Sequence, residues 1–167
     1  WGGATHPRDT KTRYGMYSAW QMARFGREEG GRKRRASDQL RFLVSEMKEV
    51  QDAHGDGYLS ALEGGRDCFG ALQRGEIDAS NFDLNGEWAP WYTLHKTYAG
   101  LRDAYRFAGN RDALEVSKKF AAWAEGILAG LTDEQLQDMM FCEFGGMTEV
   151  LVDLYADTGD ERWLALS

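Results

Sequence analysis

Cysteine, histidine and proline are scarce in this sequence, at two, three and two residues of 167. Cys68 and Cys142 lie far apart, and neither belongs to a C-x-x-C pair. A structural zinc site needs four closely spaced ligands. His6, His54 and His95 share no helical turn, so no complete metal site is expected within the chain. Two buried thiols are the plainer reading of the cysteines, with a disulfide as the alternative. Long apolar runs are missing as well. None reaches the roughly 18 residues of a membrane-spanning helix, and no membrane partner is expected. Positive charge is in deficit: 20 basic residues face 27 acidic ones, for a net charge of −7. Nucleic-acid binders are normally basic, so that class of partner is not expected either. The chain opens at Trp1 with no recognisable signal peptide, which leaves the compartment open.

What is present belongs to a packed helical domain. Hydrophobic residues make up 43% and charged residues 28%, values of globular chains and not of disordered ones. Residues 1–13 read as an irregular lead-in, and Tyr14 to Phe25 as a first helix stopped by Gly26. Gly30-Gly31 reads as a turn. From about Asp38 to Ala53 a helix is predicted, with Ser37 as its N-cap. Leu40, Leu43, Val44, Met47 and Val50 form its apolar stripe. The cluster Arg32, Lys33, Arg34 and Arg35 suggests nucleic acid. Glu28, Glu29 and the net negative charge favour a solvated turn instead. Residues 54–90 show no clear periodicity, and a stretch of that length is usually functional. Helices are predicted again from Trp91 to about Ala108 and from Arg111 to Leu128. A short one follows Thr132, where Thr-Asp-Glu-Gln fits a capping box. A last pair covers Phe141–Asp157 and Glu161 onward. No strand set stands out, and the predicted class is all-α.

An internal repeat supports that class. Leu101–Leu114 (LRDAYRFAGNRDAL) aligns without gaps to Leu151–Leu164 (LVDLYADTGDERWL) at an offset of 50. Each copy reads helix, Gly-Asn or Gly-Asp turn, helix, with the glycine in the left-handed conformation that ends a helix. Helix-pair repeats bury their apolar faces against neighbours, so antiparallel hairpins in a toroid or solenoid are expected.

Three segments could carry chemistry. In NGEWAPWYTLHKTYAGLRDAY, Trp88 and Trp91 sit beside Tyr92 and His95. Sugar rings stack on aromatic faces while their hydroxyls need polar partners, and indole with imidazole and carboxylate supplies both. Buried core tryptophans with a core histidine are the alternative. In MMFCEFGGMTEVLVDLY, Glu143 and Glu149 flank Gly145-Gly146. The glycine pair permits close backbone approach and could present Glu149 at a helix start, where a carboxylate suits the helix dipole. A polar helix face with a packing glycine is the alternative. In VQDAHGDGYLSAL, Asp56-Gly57 is a turn signal ahead of Tyr58.

Together these words resemble glycoside hydrolase family 127, the β-L-arabinofuranosidase-like enzymes. VQDAHGDGYLSAL, WAPWYTLHKTYAGLRDAY, AGNRDALEV, LTDEQLQDMM and EFGGMTEVLVDLYADTGDERWLALS occur in the family's order over roughly residues 40–167. The resemblance implies a bacterial enzyme with an (α/α)6 six-hairpin toroid, of which this chain would hold the N-terminal part. Residues 36–167 would then belong to the catalytic domain, and residues 1–35 would be a diverged lead-in. It also implies retaining hydrolysis of β-L-arabinofuranosides by a zinc-bound cysteine nucleophile and a glutamate acid/base. Both lie in the later half of the barrel, outside this chain. No catalytic residue, zinc ligand or bound cofactor is therefore expected here, zinc being a property of the intact family enzyme.

What the resemblance carries over is the sugar-binding side. His95 matches the histidine of the W-x-x-x-H helix, and Glu149 the acidic position after the double glycine. Trp88, Trp91 and Tyr58 are further candidates for the pocket wall. Two departures stand out. Thr148 replaces the asparagine of G-G-M-N-E, and YGMYSAW replaces a G-H-Y-L-S motif. The expected partner is an arabinose-containing glycan, and the expected activity of the chain alone is none. Twelve helices would need at least roughly 200 residues, so a truncated gene or partial reading frame is the favoured explanation. The alternative is a non-catalytic helical-repeat module that binds carbohydrate or a protein. Exposed apolar faces of a half barrel would favour self-association.

Overall fold

The computed structural model describes residues 30–143 and 145–167, with residues 30–35 as backbone only. The expected lead-in, the first helix and the YGMYSAW region lie outside the described residues. Seven helices carry the described part: α1 (Gly30–His54), α2 (Gly65–Gln73), α3 (Pro90–Ala108), α4 (Arg111–Leu128), α5 (Asp133–Met140), α6 (Gly146–Thr158) and α7 (Glu161–Leu166). Between α2 and α3 runs a small antiparallel meander of β1 (Ala79–Ser80), β2 (Asp83–Leu84) and β3 (Glu87–Trp88). The chain is mostly helical, as its composition and repeat imply.

Two antiparallel hairpins, α3–α4 and α6–α7, pack through their first helices, while α1 and α2 both lie against α4. The turns of the hairpins fall where the repeat places them. Gly109 and Gly159 take φ of 66° and 72°, the left-handed region that ends a helix without a Cβ clash. Asn110 and Asp160 then cap the next helices, accepting from the amides of Ala113 and Arg162. At α5 the capping box is complete, with Thr132 Oγ1 accepting from the Gln135 amide and Gln135 Oε1 from the Thr132 amide.

The core follows from the apolar stripes. Helix α4 buries Val116, Phe120, Ala121, Ala124 and Ile127, and α3 buries Trp91, Leu94, Tyr98 and Leu101. Tyr98 stacks on Phe120 with ring centroids 4.4 Å apart. Phe69 meets Trp91 at 4.9 Å and Trp123 at 5.0 Å, both edge to face, the arrangement that aromatic quadrupoles favour. Between α3 and α6, Asp157 of α6 accepts from Arg102 and Arg106 of α3, each at 2.8 Å, and Asp153 accepts from Arg102 at 2.6 Å. These bonds tie the two hairpins together.

Three expectations are corrected. Helix α1 begins at Gly30 and not near Asp38, so Arg32–Arg35 lie on helical backbone and Ser37 is interior. Within that helix Val50 is exposed, and Gln51 occupies the buried face in its place. Its Nε2 donates to the carbonyls of Gly57 and Val116 at 2.8 and 3.1 Å, which makes a polar residue tolerable in the interior. The stretch 54–90 holds both a helix and the meander. Helix α2 buries Cys68, Phe69 and Leu72. The all-α class stands, with this small sheet as an addition to the loop; its second turn is Asn85-Gly86 with both φ positive, at 50° and 84°.

Candidate functional site

The site is built where α3 meets α6. His95 lies in the second turn of α3, on the side that faces α6. It is 8% exposed, between the fully buried Leu94 and the solvated Lys96. Glu149 lies in the first turn of α6, its side chain 74% exposed. His95 Nε2 and Glu149 Oε2 stand 3.5 Å apart. Burial, and to a lesser degree the Lys96 charge, hold the imidazole below its ordinary value, while Glu149 pulls the other way. The ring is therefore mainly neutral at pH 7, and the pair is a long polar contact, not a full ion pair. A neutral imidazole keeps one donor and one acceptor nitrogen. Nδ1 is buried and has no hydrogen-bond partner among the described residues. Half-exposed Tyr92 flanks the ring at 6.2 Å between centroids, and Lys96 lies over Tyr92.

The aromatic candidates divide. Trp88, at the end of β3, is 68% exposed and faces Phe82 with centroids 6.5 Å apart. Phe82 is held at φ 66°, an unusual state for a bulky residue. Its amide donates to the Cys142 carbonyl, and its carbonyl accepts from the Ala89 amide. Trp91 is 7% exposed, its Nε1–H directed at Met139 Sδ. Tyr58 is 3% exposed and packs on Phe69 and Trp123. Its hydroxyl is buried without a partner among the described residues, and burial pushes its pKa up. Trp91 and Tyr58 thus sit in the core and His95 is buried as well, while Glu149 and Trp88 are the candidates exposed to solvent.

Glu143 acts where no sequence pattern points. Ala89, the residue before α3, adopts the left-handed conformation at φ 44° and has no side-chain cap. The carboxylate of Glu143 takes over that role from the linker between α5 and α6, 52 residues along the chain. It accepts from the Trp91 amide at 2.7 Å and the Tyr92 amide at 3.0 Å. Burial raises its pKa, while the two amides oppose the shift. The linker from α5 to α6 is thereby pinned to the helix that carries His95.

Zinc does not fit the donor set of the described residues. No three His, Cys, Asp or Glu side chains converge among them as metal ligands. Burial pushes the Cys68 thiol up to about 12 and the Cys142 thiol up to about 11, the reverse of a thiolate ready for a metal. Cys68 Sγ donates to the Leu84 carbonyl, and both cysteines are free. A cavity between α3, α4 and α6, lined by Tyr98, Arg102, Ser117 and Asp157 among others, has a volume near 10 Å³. That is room for about one water and not for a sugar. No helix among the described residues is long and apolar enough to cross a membrane.

Comparison with curated proteins gives no match. Comparison with family models gives one over residues 30–167, described as Beta-L-arabinofuranosidase, GH127 catalytic domain. The match spans every element of the fold and both glycine-turned hairpins, and the chain belongs to that glycoside hydrolase family.

Proposed function

We propose that this chain supplies the sugar-binding side of a glycosidase acting on an arabinose-containing glycan. The observation that carries the reading is the His95–Glu149 pair, 3.5 Å apart with one partner buried and the other exposed. A ring nitrogen held still by burial and a solvated carboxylate offer a donor and an acceptor side by side. Vicinal sugar hydroxyls both donate and accept, so such a pair can grip two of them at once. The exposed Trp88 indole, beside Phe82, offers a face for the apolar side of a sugar ring. The covalent steps fall to the later half of the family's barrel. No step is assigned to Cys68 or Cys142, whose thiols are buried and hold their protons. The chain by itself is inactive in this reading.

Two assays test the proposal. Incubation with an aryl β-L-arabinofuranoside, with and without zinc, should give no release above background, and zinc-stimulated turnover would defeat the claim of inactivity. Titration of L-arabinose against the chain should move the His95 ring signals, and His95→Ala and Glu149→Gln should each weaken binding. Each hydrogen bond lost is worth about 0.5–1.5 kcal/mol, or two- to tenfold in affinity. Equal affinity in all three proteins would defeat the sugar site.

A second reading, a helical module that pairs with a protein or with itself, is favoured by the exposed Phe42, Phe107 and Phe141. Sedimentation across a concentration series separates the two, since this reading requires a concentration-dependent mass.

A further inference from the structure

We propose that Gly146 is a positioning residue for His95, its bare Cα forming the seat that decides which imidazole nitrogen the site presents. The proposal rests on the sugar reading only for what the ring is held to do. The geometry stands apart from it.

A Cβ built on Gly146 would lie 3.0 Å from His95 Cγ, 3.0 Å from Nδ1 and 3.5 Å from the His95 Cβ. Any side chain there would press on the Nδ1 edge of the ring. With glycine the ring settles against backbone, Nδ1 is sealed from water without a partner among the described residues, and Nε2 is turned toward Glu149. The two nitrogens thus have different surroundings. A hydrogen on Nδ1 would be a sealed donor without an acceptor among the described residues and would leave the Nε2 lone pair facing a carboxylate, whereas a hydrogen on Nε2 points at the Glu149 acceptor. The neutral ring therefore carries its hydrogen on Nε2. That makes Nε2 the donor beside the Glu149 acceptor, the complement of a hydroxyl pair. Among the described residues the titratable and charged groups facing the ring are Tyr92 and Lys96 from α3 and Glu149 from α6.

The role belongs to the contact and not to the backbone. Gly145 takes the left-handed conformation at φ 68°, whereas Gly146 is the first residue of α6 and has no positive φ. Alanine is allowed there and is the better helix former. Gly146→Ala consequently adds one methyl group against one ring and leaves the helix otherwise intact.

The test uses the chain with 15N-labelled histidine, following the His95 ring nitrogens through a pH titration. Four proteins are compared: wild type, Gly146→Ala, Glu149→Gln and the double variant. In wild type the neutral ring should be the Nε2–H tautomer, and Glu149→Gln should lower its titration midpoint. In Gly146→Ala the tautomers should mix, and the response to Glu149→Gln should fall to about half or less, the sign of energetic coupling. L-arabinose should bind Gly146→Ala roughly three- to tenfold more weakly, and this loss should vanish in a His95→Ala background. An unchanged tautomer with an unchanged response to Glu149→Gln would overturn the proposal. If Gly146→Ala melts below wild type, recovery of that loss in His95→Ala/Gly146→Ala supports the seat and its persistence refutes it. L-arabinose that leaves the wild-type ring signals in place removes the sugar reading, while the tautomer comparison still decides the seat.

Discussion

Removing the Glu143 carboxylate should loosen the start of α3 and, with it, the site. Helix N-termini carry unsatisfied amides, and at α3 those of Trp91 and Tyr92 are met by Glu143. Pro90 has no amide hydrogen to satisfy, and Ala89 has no side-chain oxygen to offer. Loss of an N-cap costs about 0.5–2 kcal/mol. The attraction of a negative charge to the dipole's positive end is outweighed here by the cost of burying that charge, which raises the pKa. Two amides are served by one half-buried carboxylate, so Glu143→Ala should cost about 1–2 kcal/mol. For a chain of this length that corresponds to a fall in Tm of roughly 2–8 °C. Glu143→Gln keeps one acceptor but turns an NH2 toward the second amide, and should cost about 1 kcal/mol or less. Urea unfolding followed by tryptophan fluorescence measures both. Hydrogen exchange at the Trp91 and Tyr92 amides should quicken before global unfolding does. A Glu143→Ala protein that melts within about 1 °C of wild type would refute the capping argument.

The pH dependence has a definite sign. Burial raises the Glu143 pKa above its ordinary value of 4.5. The folded state therefore holds this proton more tightly than the unfolded state. The group's contribution is fully present below 4.5 and declines as pH rises through the raised folded value. Glu143→Gln cannot titrate there. The stability margin of wild type over Glu143→Gln should narrow as pH climbs from about 4 to 7, and a widening margin would mean that the amides outweigh burial.

Two further outcomes follow from single side chains. Asp157, with only 4% of its side chain exposed, receives both Arg102 and Arg106. Asp157→Asn should destabilise by about 2 kcal/mol, because breaking a buried charge pair leaves its partners short of an acceptor; chemical denaturation at neutral pH checks it, and a change under about 0.3 kcal/mol would show the contact to be solvent-screened. Asn85 accepts from the Asp78 amide and donates to the carbonyls of Cys68 and Glu76, with φ of 50°. Asn85→Ala should cost about 2–3 kcal/mol and free the meander; fluorescence quenching of the exposed Trp88 is the local readout, and a protein as stable as wild type would argue against that anchoring.

The parts of the fold legible in the sequence are those whose causes are local. Helices α3 to α7 announce themselves through Gly109, Asn110, Thr132, Gly159 and Asp160, each acting within four residues of itself. Helix α2 is masked by Gly64, Gly65 and Gly70, which lower helix propensity, although Cys68, Phe69 and Leu72 bury one face of it. Two-residue strands are too short to show a period of two, but Asn85-Gly86 is a readable hairpin signal. Glu143 acts on an amide 52 residues away, and no local pattern can reveal a cap supplied from another helix pair. Of the candidate site, the family's words single out His95 and Glu149, which do approach one another. Trp91 and Tyr58 stand out in the sequence for ring chemistry alone, which does not distinguish a sugar platform from a core aromatic.

The repeat also explains why the site lies where it does. From Leu101 and Leu151 onward the two hairpins are matched at an offset of 50. Both leucines are buried, both turn glycines are left-handed, and Ala113 and Trp163 fill corresponding interior positions. Six residues earlier the correspondence fails. At the same offset His95 and Lys96 face Gly145 and Gly146. Where the first hairpin carries an imidazole, the second carries no side chain at all. With His95 filling that level of the shared face, a side chain on Gly146 would press on the ring, its Cβ only 3.0 Å from Cγ and Nδ1. The second helix gives way with glycine, starts late, and brings Glu149 to the ring from its own first turn. The departure from the repeat is therefore what makes room for the polar pair, and the matched remainder, clamped by Arg102, Arg106 and Asp157, holds that pair in register.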